Sequence, residues 1–215
     1  MSKAVDKEKT WQQTKSENTR TTILDAAIQC FYDVGYSNTT TEKIAREAGV
    51  SRGAMLHHFP SRLDLIKSTV SHLHNKRLKL FEEQERQSQV DAEHSLIEEG
   101  IDAYWSQLHS PLFIVWHELH IASRTDEELR KIMRPALREY EANWYKVAAN
   151  VFPDLAVSEK FETANLLTIY LLEGMAVHGI SRTSLADKMV LWLKGQLREM
   201  FKDVNTVSRR NVKRR

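Results

Sequence analysis

The 215 residues carry 31 Lys and Arg against 29 Asp and Glu, a net charge of +2, and 41% of them are hydrophobic, enough for one or two packed domains and too much for a disordered chain. The single cysteine, Cys30, excludes an intramolecular disulfide framework and a multi-cysteine zinc site and fits a reducing compartment, so the cytoplasm is the expected location. The polar N-terminus shows no signal peptide, and the longest apolar stretch, Leu166 to Val177, is shorter than the roughly 18 residues a spanning helix needs.

With only 7 Gly and 4 Pro and little alternating β-branched sequence, the chain reads as all-α, with about nine helices. Ile23, Ala26, Ala27, Cys30, Phe31 and Val34 form one stripe of a first helix that stops at Gly35. Thr39 to Thr41 offer N-caps for a short helix carrying Ile44, Ala45 and Ala48, ended by Gly49; Ser51 caps the next, which runs to about Phe59. Leu63, Ile66, Val70, Leu73, Leu80 and Phe81 mark one long helix, and periodicity resumes with Ile97, Ile101, Tyr104, Trp105 and Leu108. Ser110-Pro111 starts another helix. A long one follows from Leu129 to Val151, which Pro135 should kink or divide because it lacks an N–H. After a break at Phe152-Pro153-Asp154, the last two helices span about 159–181 and 184–202. Apolar residues occupy nearly all faces of the first of these, which predicts burial on more than one side.

The segment TTEKIAREAGVSRGAMLHHF, residues 40–59, is the most informative. Two short helices separated by Gly-Val-Ser, with small Ala45 on the first, Gly49 in the turn and Val50 sealing the core beneath, describe a helix-turn-helix. Its second helix presents Arg52, Met55, Leu56 and His57, as expected of a helix whose first turn enters the major groove of DNA. Over roughly Glu17 to Ile66, and through GYSNTTTEKIAREAGVSRGAMLHHFPSRLDLI above all, the chain resembles the tetracycline-repressor-like (TetR) family of bacterial transcription regulators. It departs from the usual pattern at Leu56, where the family has a phosphate-contacting Tyr, and at Arg62, where it has Lys.

The candidate DNA contacts are Thr40, Thr41, Arg52, Gly53, Met55, Leu56, His57 and Arg62. Arg52 is the candidate for base readout, because a guanidinium addresses guanine bidentately; Gly53 would permit close backbone approach, and Arg62 would reach a phosphate. Thr40 and Thr41 donate to phosphate or serve only as N-caps. Phe59 reads as core. Lys3, Lys7, Lys9, Lys15 and Arg20 at one end and the run Ser208 to Arg215 at the other would add unspecific phosphate attraction or act as solubilising tails.

The expected organisation is a polar arm over 1–16, the DNA-binding domain over 17–62, a ligand-binding and dimerisation domain over 63–203 and a basic tail over 204–215. Charge follows it: residues 1–80 hold 13 basic and 8 acidic side chains, 81–202 hold 13 and 20, and 203–215 hold 5 and 1. An acidic middle would be repelled by phosphate while the basic head is attracted.

The resemblance implies a sensor body whose cavity takes a small molecule and shifts the DNA-reading heads of a dimer. Trp105, Phe113, Trp116, His117, His120, Tyr140, Trp144, Tyr170, Met175 and His178 are its candidate lining, suited to an apolar or aromatic ligand; each is otherwise ordinary core. Glu173, among apolar neighbours, would hold a ligand, cross a dimer interface or face solvent. A homodimer is expected through the last two helices, at Leu166, Ile169, Val177, Met189, Trp192, Leu193 and Leu197. No metal or other cofactor is expected: His117 and His120 lack the H-E-x-x-H spacing and an evident third ligand. The sequence thus reads as a non-enzymatic, sequence-specific DNA-binding regulator, a repressor released from a palindromic operator by an effector. The alternatives are an architectural DNA-binding protein without effector and, third, a helical metal-dependent enzyme.

Overall fold

The computed structural model describes residues 11–88, 96–179 and 184–203. The basic tail and the lysines of the first ten residues lie outside them. Ten helices and no strand occur among the described residues: α1 (Trp11–Val34), α2 (Thr41–Glu47), α3 (Arg52–His58), α4 (Arg62–Ser88), α5 (Leu96–Gln107), α6 (Pro111–Ala122), α7 (Glu127–Val151), α8 (Pro153–Ala156), α9 (Phe161–Val177) and α10 (Ser184–Met200). The helix beyond the expected nine is the single turn α8, where Pro153 occupies the first helical position. No described helix is long and apolar enough to cross a membrane.

The chain divides into two compact units. The first comprises residues 1–73 and 115–133, the second 74–114 and 134–215, so the boundaries fall inside α4, α6 and α7. Residues 11–16, expected in a polar arm, continue α1, with Trp11 under the ammonium of Lys15. Pro135 does not divide α7, which is unbroken through it. The proline is exposed and removes one ladder hydrogen bond, while the helix retains the burial of Leu129, Met133, Tyr140 and Trp144 along its length.

The first unit is organised around the stripe of α1. Ile23, Leu24, Ala27 and Cys30 pack with Ile44 and Ala45 of α2, Met55 of α3, Phe59 and Leu65, and Ala48 and Val50 close the edge. Gly49 has φ +66, the left-handed turn between α2 and α3 that a side chain would strain. Burial raises the Cys30 thiol pKa, as for a small core residue.

The second unit buries aromatic side chains against one another. Trp144 of α7 lies 4.2 Å from Phe81 and 4.8 Å from Tyr104 between ring centroids. Between α10 and α5, Lys194 pairs with Asp102 at 2.6 Å and Arg198 with Glu98. Within one protomer α9 buries Phe161, Ala164, Leu172 and Met175 and leaves Leu166, Leu167, Tyr170 and Val177 exposed, as are Leu185, Leu191 and Trp192 of α10. Leu193 and Leu197, expected at a dimer interface, are buried inside the protomer, because the inner stripe of α10 faces the core of its own unit.

Candidate nucleic-acid interface and ligand cavity

The two short helices of the head begin on the caps their sequence provides. Thr40 Oγ1 accepts from the Lys43 N–H at 3.3 Å, and Ser51 Oγ accepts from the Ala54 N–H at 3.1 Å. Thr39 is buried instead, its hydroxyl donating to the Gly35 carbonyl at 2.7 Å, which ties the end of α1 to the start of α2. Thr41 is half-buried and donates to Glu42 Oε2 at 3.3 Å.

Arg52 stands at the first position of α3, exposed, with its Nη1 3.5 Å from Glu42 Oε1. Gly53 is also exposed, and a Cβ added there would meet nothing nearer than Ser51 Oγ at 3.9 Å. The fold therefore does not require glycine at this position. Leu56 and His57 are exposed on the same helix, and the His57 ring sits edge-on to His58 at 5.6 Å. Burial, and then the charges of His57 and Arg20, hold the His58 imidazole below its ordinary pKa.

Two expectations for the head are corrected. Met55 is not on the outer face: it is 1% exposed, because a seven-residue helix packed on α1 and α2 must bury one side chain per turn. Arg20 is not a loose basic group. Its guanidinium donates to the His58 carbonyl at 3.0 Å and Ser68 Oγ at 2.9 Å and lies 4.3 Å from the centroid of the Phe59 ring. Arg62 is exposed but engaged, its Nη1 donating to the Tyr36 hydroxyl at 3.4 Å and its guanidinium 5.1 Å from that ring. Tyr36 is buried; its hydroxyl donates to Asp126 at 3.1 Å and its backbone N–H to Glu118 Oε1 at 2.6 Å.

The second unit contains a cavity of about 70 Å³ lined by sixteen residues of α4, α5, α7, α8, α9, α10 and the turns beside them. Of the expected lining only Trp144 is there. Trp116, His117 and His120 belong to the first unit. Tyr170 and His178 are exposed, and Trp105 turns to His109 at 4.9 Å. Met175 is buried in the core away from the cavity wall.

Phe113, Tyr140 and Glu173 gather instead around Arg77, a residue the sequence reading missed. Arg77 is 5% exposed, 3.7 Å from Glu173 Oε1, and lies over the Tyr140 and Phe113 rings at 4.4 and 5.7 Å. Tyr104 joins this cluster to the cavity, lining it with its ring while its hydroxyl donates to Glu173 Oε1 at 2.8 Å. Burial, then the Glu173 charge, raises the Tyr104 pKa far above the ordinary phenol value, and burial pushes Tyr140 up to about 12. Both phenols stay neutral. An Arg on the apolar stripe of a long helix was the signal available for Arg77; its partner, 96 positions away, was not legible.

Comparison with known proteins supports the reading of the head. Residues 23–69 match the family model described as bacterial regulatory proteins, tetR family. An uncharacterized HTH-type transcriptional regulator of Mycobacterium tuberculosis is 27% identical over 171 residues, covering 77% of this chain and 85% of that protein. The HTH-type transcriptional repressor BepR of Brucella suis is 43% identical over 61 residues, 27% of this chain and 29% of BepR. The crystal structure of a TetR-family regulator from Rhodococcus sp. superposes with a TM-score of 0.63 at 16% identity, covering 84% of this chain and 97% of that one. Capped α2 and α3, the glycine turn between them and these similarities agree: residues 23–69 are a helix-turn-helix DNA-binding domain of the tetR family, in a chain similar over most of its length to an HTH-type regulator of transcription.

Proposed function

We propose that the protein is a homodimeric repressor, acting in the cytoplasm, that leaves a palindromic operator when a small molecule enters the second unit. The observation that carries this reading is the cavity beside Tyr104 and Trp144, which an architectural DNA-binding protein would not need. Arg52 reads bases from the first turn of α3, Gly53 lets the backbone approach, and Leu56, His57, Thr40 and Thr41 flank the contact. Leu56 supplies apolar contact where it cannot donate to phosphate. Arg62 reaches phosphate by leaving the Tyr36 hydroxyl.

The second copy covers the face of α9 and α10 that bears Leu166, Val177 and Trp192. Half-buried Ile169 and Met189 lie on the same helices and complete it. The repressor sense is supported by the similarity of the head to BepR.

The test uses DNA fragments that the purified protein selects from a random pool. A twofold-symmetric consensus, bound by a dimer in sedimentation and released by at least one small molecule from a diverse library, is the expected result. Selection of no consensus, or a monomer at micromolar concentration, overturns it.

A further inference from the structure

We infer that the cavity of the second unit recognises a neutral hydroxyaromatic molecule of one or two rings. This deepens the effector reading above and rests on it.

The size follows from the volume. The cavity has room for about five waters, or about 150 Å³ of liquid, the room taken by one or two aromatic rings. The shape follows from the walls. Rings of Phe81, Tyr104, Trp144, Phe152, Phe161 and Phe201 face the space, and small Gly100, Ala148 and Ala164 leave room between them, which favours a flat guest stacked against aromatic faces.

The charge follows from what is missing from the walls: none of the sixteen described lining residues is formally charged. An ionised guest would give up its hydration with no counter-charge in contact. Behind Tyr104, Glu173 and Arg77 face each other, and the Tyr104 hydroxyl proton is already committed to Glu173.

Two polar side chains then define the group the guest must carry. Asn165 and Thr168 stand three residues apart on α9, on one helix face, and both line the cavity. Asn165 Oδ1 accepts from the Trp144 indole N–H at 3.3 Å, which orients the amide so that its NH2 is the donor left to a guest. Thr168 donates its hydroxyl proton to the Ala164 carbonyl at 2.8 Å, so its oxygen offers lone pairs. One donor beside one acceptor is the complement of a hydroxyl group: the guest oxygen accepts from Asn165 and its O–H donates to Thr168. A ring-bound hydroxyl meets both requirements without charge.

Equilibrium dialysis of the full chain against 2-naphthol, naphthalene and 2-naphthoate tests this without DNA. Binding of 2-naphthol about tenfold tighter than naphthalene, with 2-naphthoate weaker than either, is expected. Asn165→Leu and Thr168→Val should each reduce the preference for 2-naphthol over naphthalene severalfold while naphthalene still binds, so a variant that merely unfolds is recognised by loss of naphthalene. Equal or tighter binding of 2-naphthoate, or an unchanged preference in both variants, overturns the inference. Saturation with 2-naphthol in a DNA-release assay separates the two readings. Binding without release overturns the effector role and leaves the ligand chemistry standing; release by other compounds with no 2-naphthol binding overturns the chemistry and leaves the effector role.

Discussion

The backbone N–H of Tyr36 donates to the carboxylate of Glu118 at 2.6 Å, across 82 positions of sequence. The contact is possible because the preceding residue is Gly35. Its φ is +80, and a Cβ there would lie 2.8 Å from Glu118 Oε1. Helix α1 therefore ends in a glycine turn that delivers a backbone donor to α6 within the first unit.

Gly35→Ala should consequently destabilise the protein by about 2 kcal/mol, from left-handed strain and from displacing the Glu118 carboxylate. Gly49→Ala is the control, with φ +66 and nothing within 4 Å of the added carbon. Only the strain of about 1 kcal/mol should apply there. Denaturant unfolding measures both, and equal losses would remove the energetic significance of the Glu118 contact.

Asp126 predicts an acid-sensitive step. Its carboxylate is held below the ordinary value of 3.8 first by the Leu129 N–H, and then by the Tyr36 hydroxyl, the Glu128 N–H and Arg62. A lowered folded-state pKa means that its stabilisation is complete above the unfolded value and is lost as pH falls from about 4 downward. Asp126→Asn keeps an acceptor for the Leu129 N–H and removes the titration. The midpoint of thermal unfolding should fall less between pH 5 and pH 3 in the variant than in the parent chain.

The buried pair of the second unit makes a different prediction. Glu173→Ala removes the carboxylate facing Arg77 and the acceptor of the Tyr104 hydroxyl, and should cost about 3 kcal/mol. Tyr104→Phe deletes a single hydrogen bond to the same carboxylate and should cost about 1 kcal/mol. Calorimetric or denaturant unfolding distinguishes the two, and a Glu173→Ala loss no larger than that of Tyr104→Phe would mean that the charge pairing contributes little.

On the proposed DNA face, Arg52→Ala should weaken the selected operator by about tenfold to a hundredfold and relax preference at one position of each half-site. Gly53→Ala separates stability from function. With no neighbour within 3.9 Å of the new carbon, folding stability should hold or rise by up to about 1 kcal/mol while operator affinity falls. A variant that binds the operator normally would show that the backbone at Gly53 does not approach DNA.

Adjacent residues of α10 should report opposite things. Trp192 is 53% exposed and Leu193 is fully buried. Trp192→Asp should yield a folded monomer in sedimentation, whereas Leu193→Ala should remain a dimer and lose about 2–5 kcal/mol of stability.

The helical class, the stripe of α1, a threonine cap among Thr39 to Thr41, the cap Ser51, the glycine turn at Gly49 and the start of α6 at Pro111 were legible in the sequence, because each depends on residues within about one turn of it; that the cap is Thr40 was decided when Thr39 was buried against the end of α1. Spacing could not decide which neighbour faces inward in a seven-residue helix, where an apolar stripe is one or two residues long, and Met55 and Leu56 divided that way only when α3 packed on α1 and α2. Nor could it say that Arg62 rests on Tyr36, that Arg77 meets Glu173, or that Trp144 alone of the expected ligand contacts lines the cavity, beside Ile169 and Leu197 that were expected at a dimer interface. Those pairings join positions tens of residues apart. Apolar and aromatic side chains that read alike in sequence become wall, core or exposed face only when the helices that carry them converge.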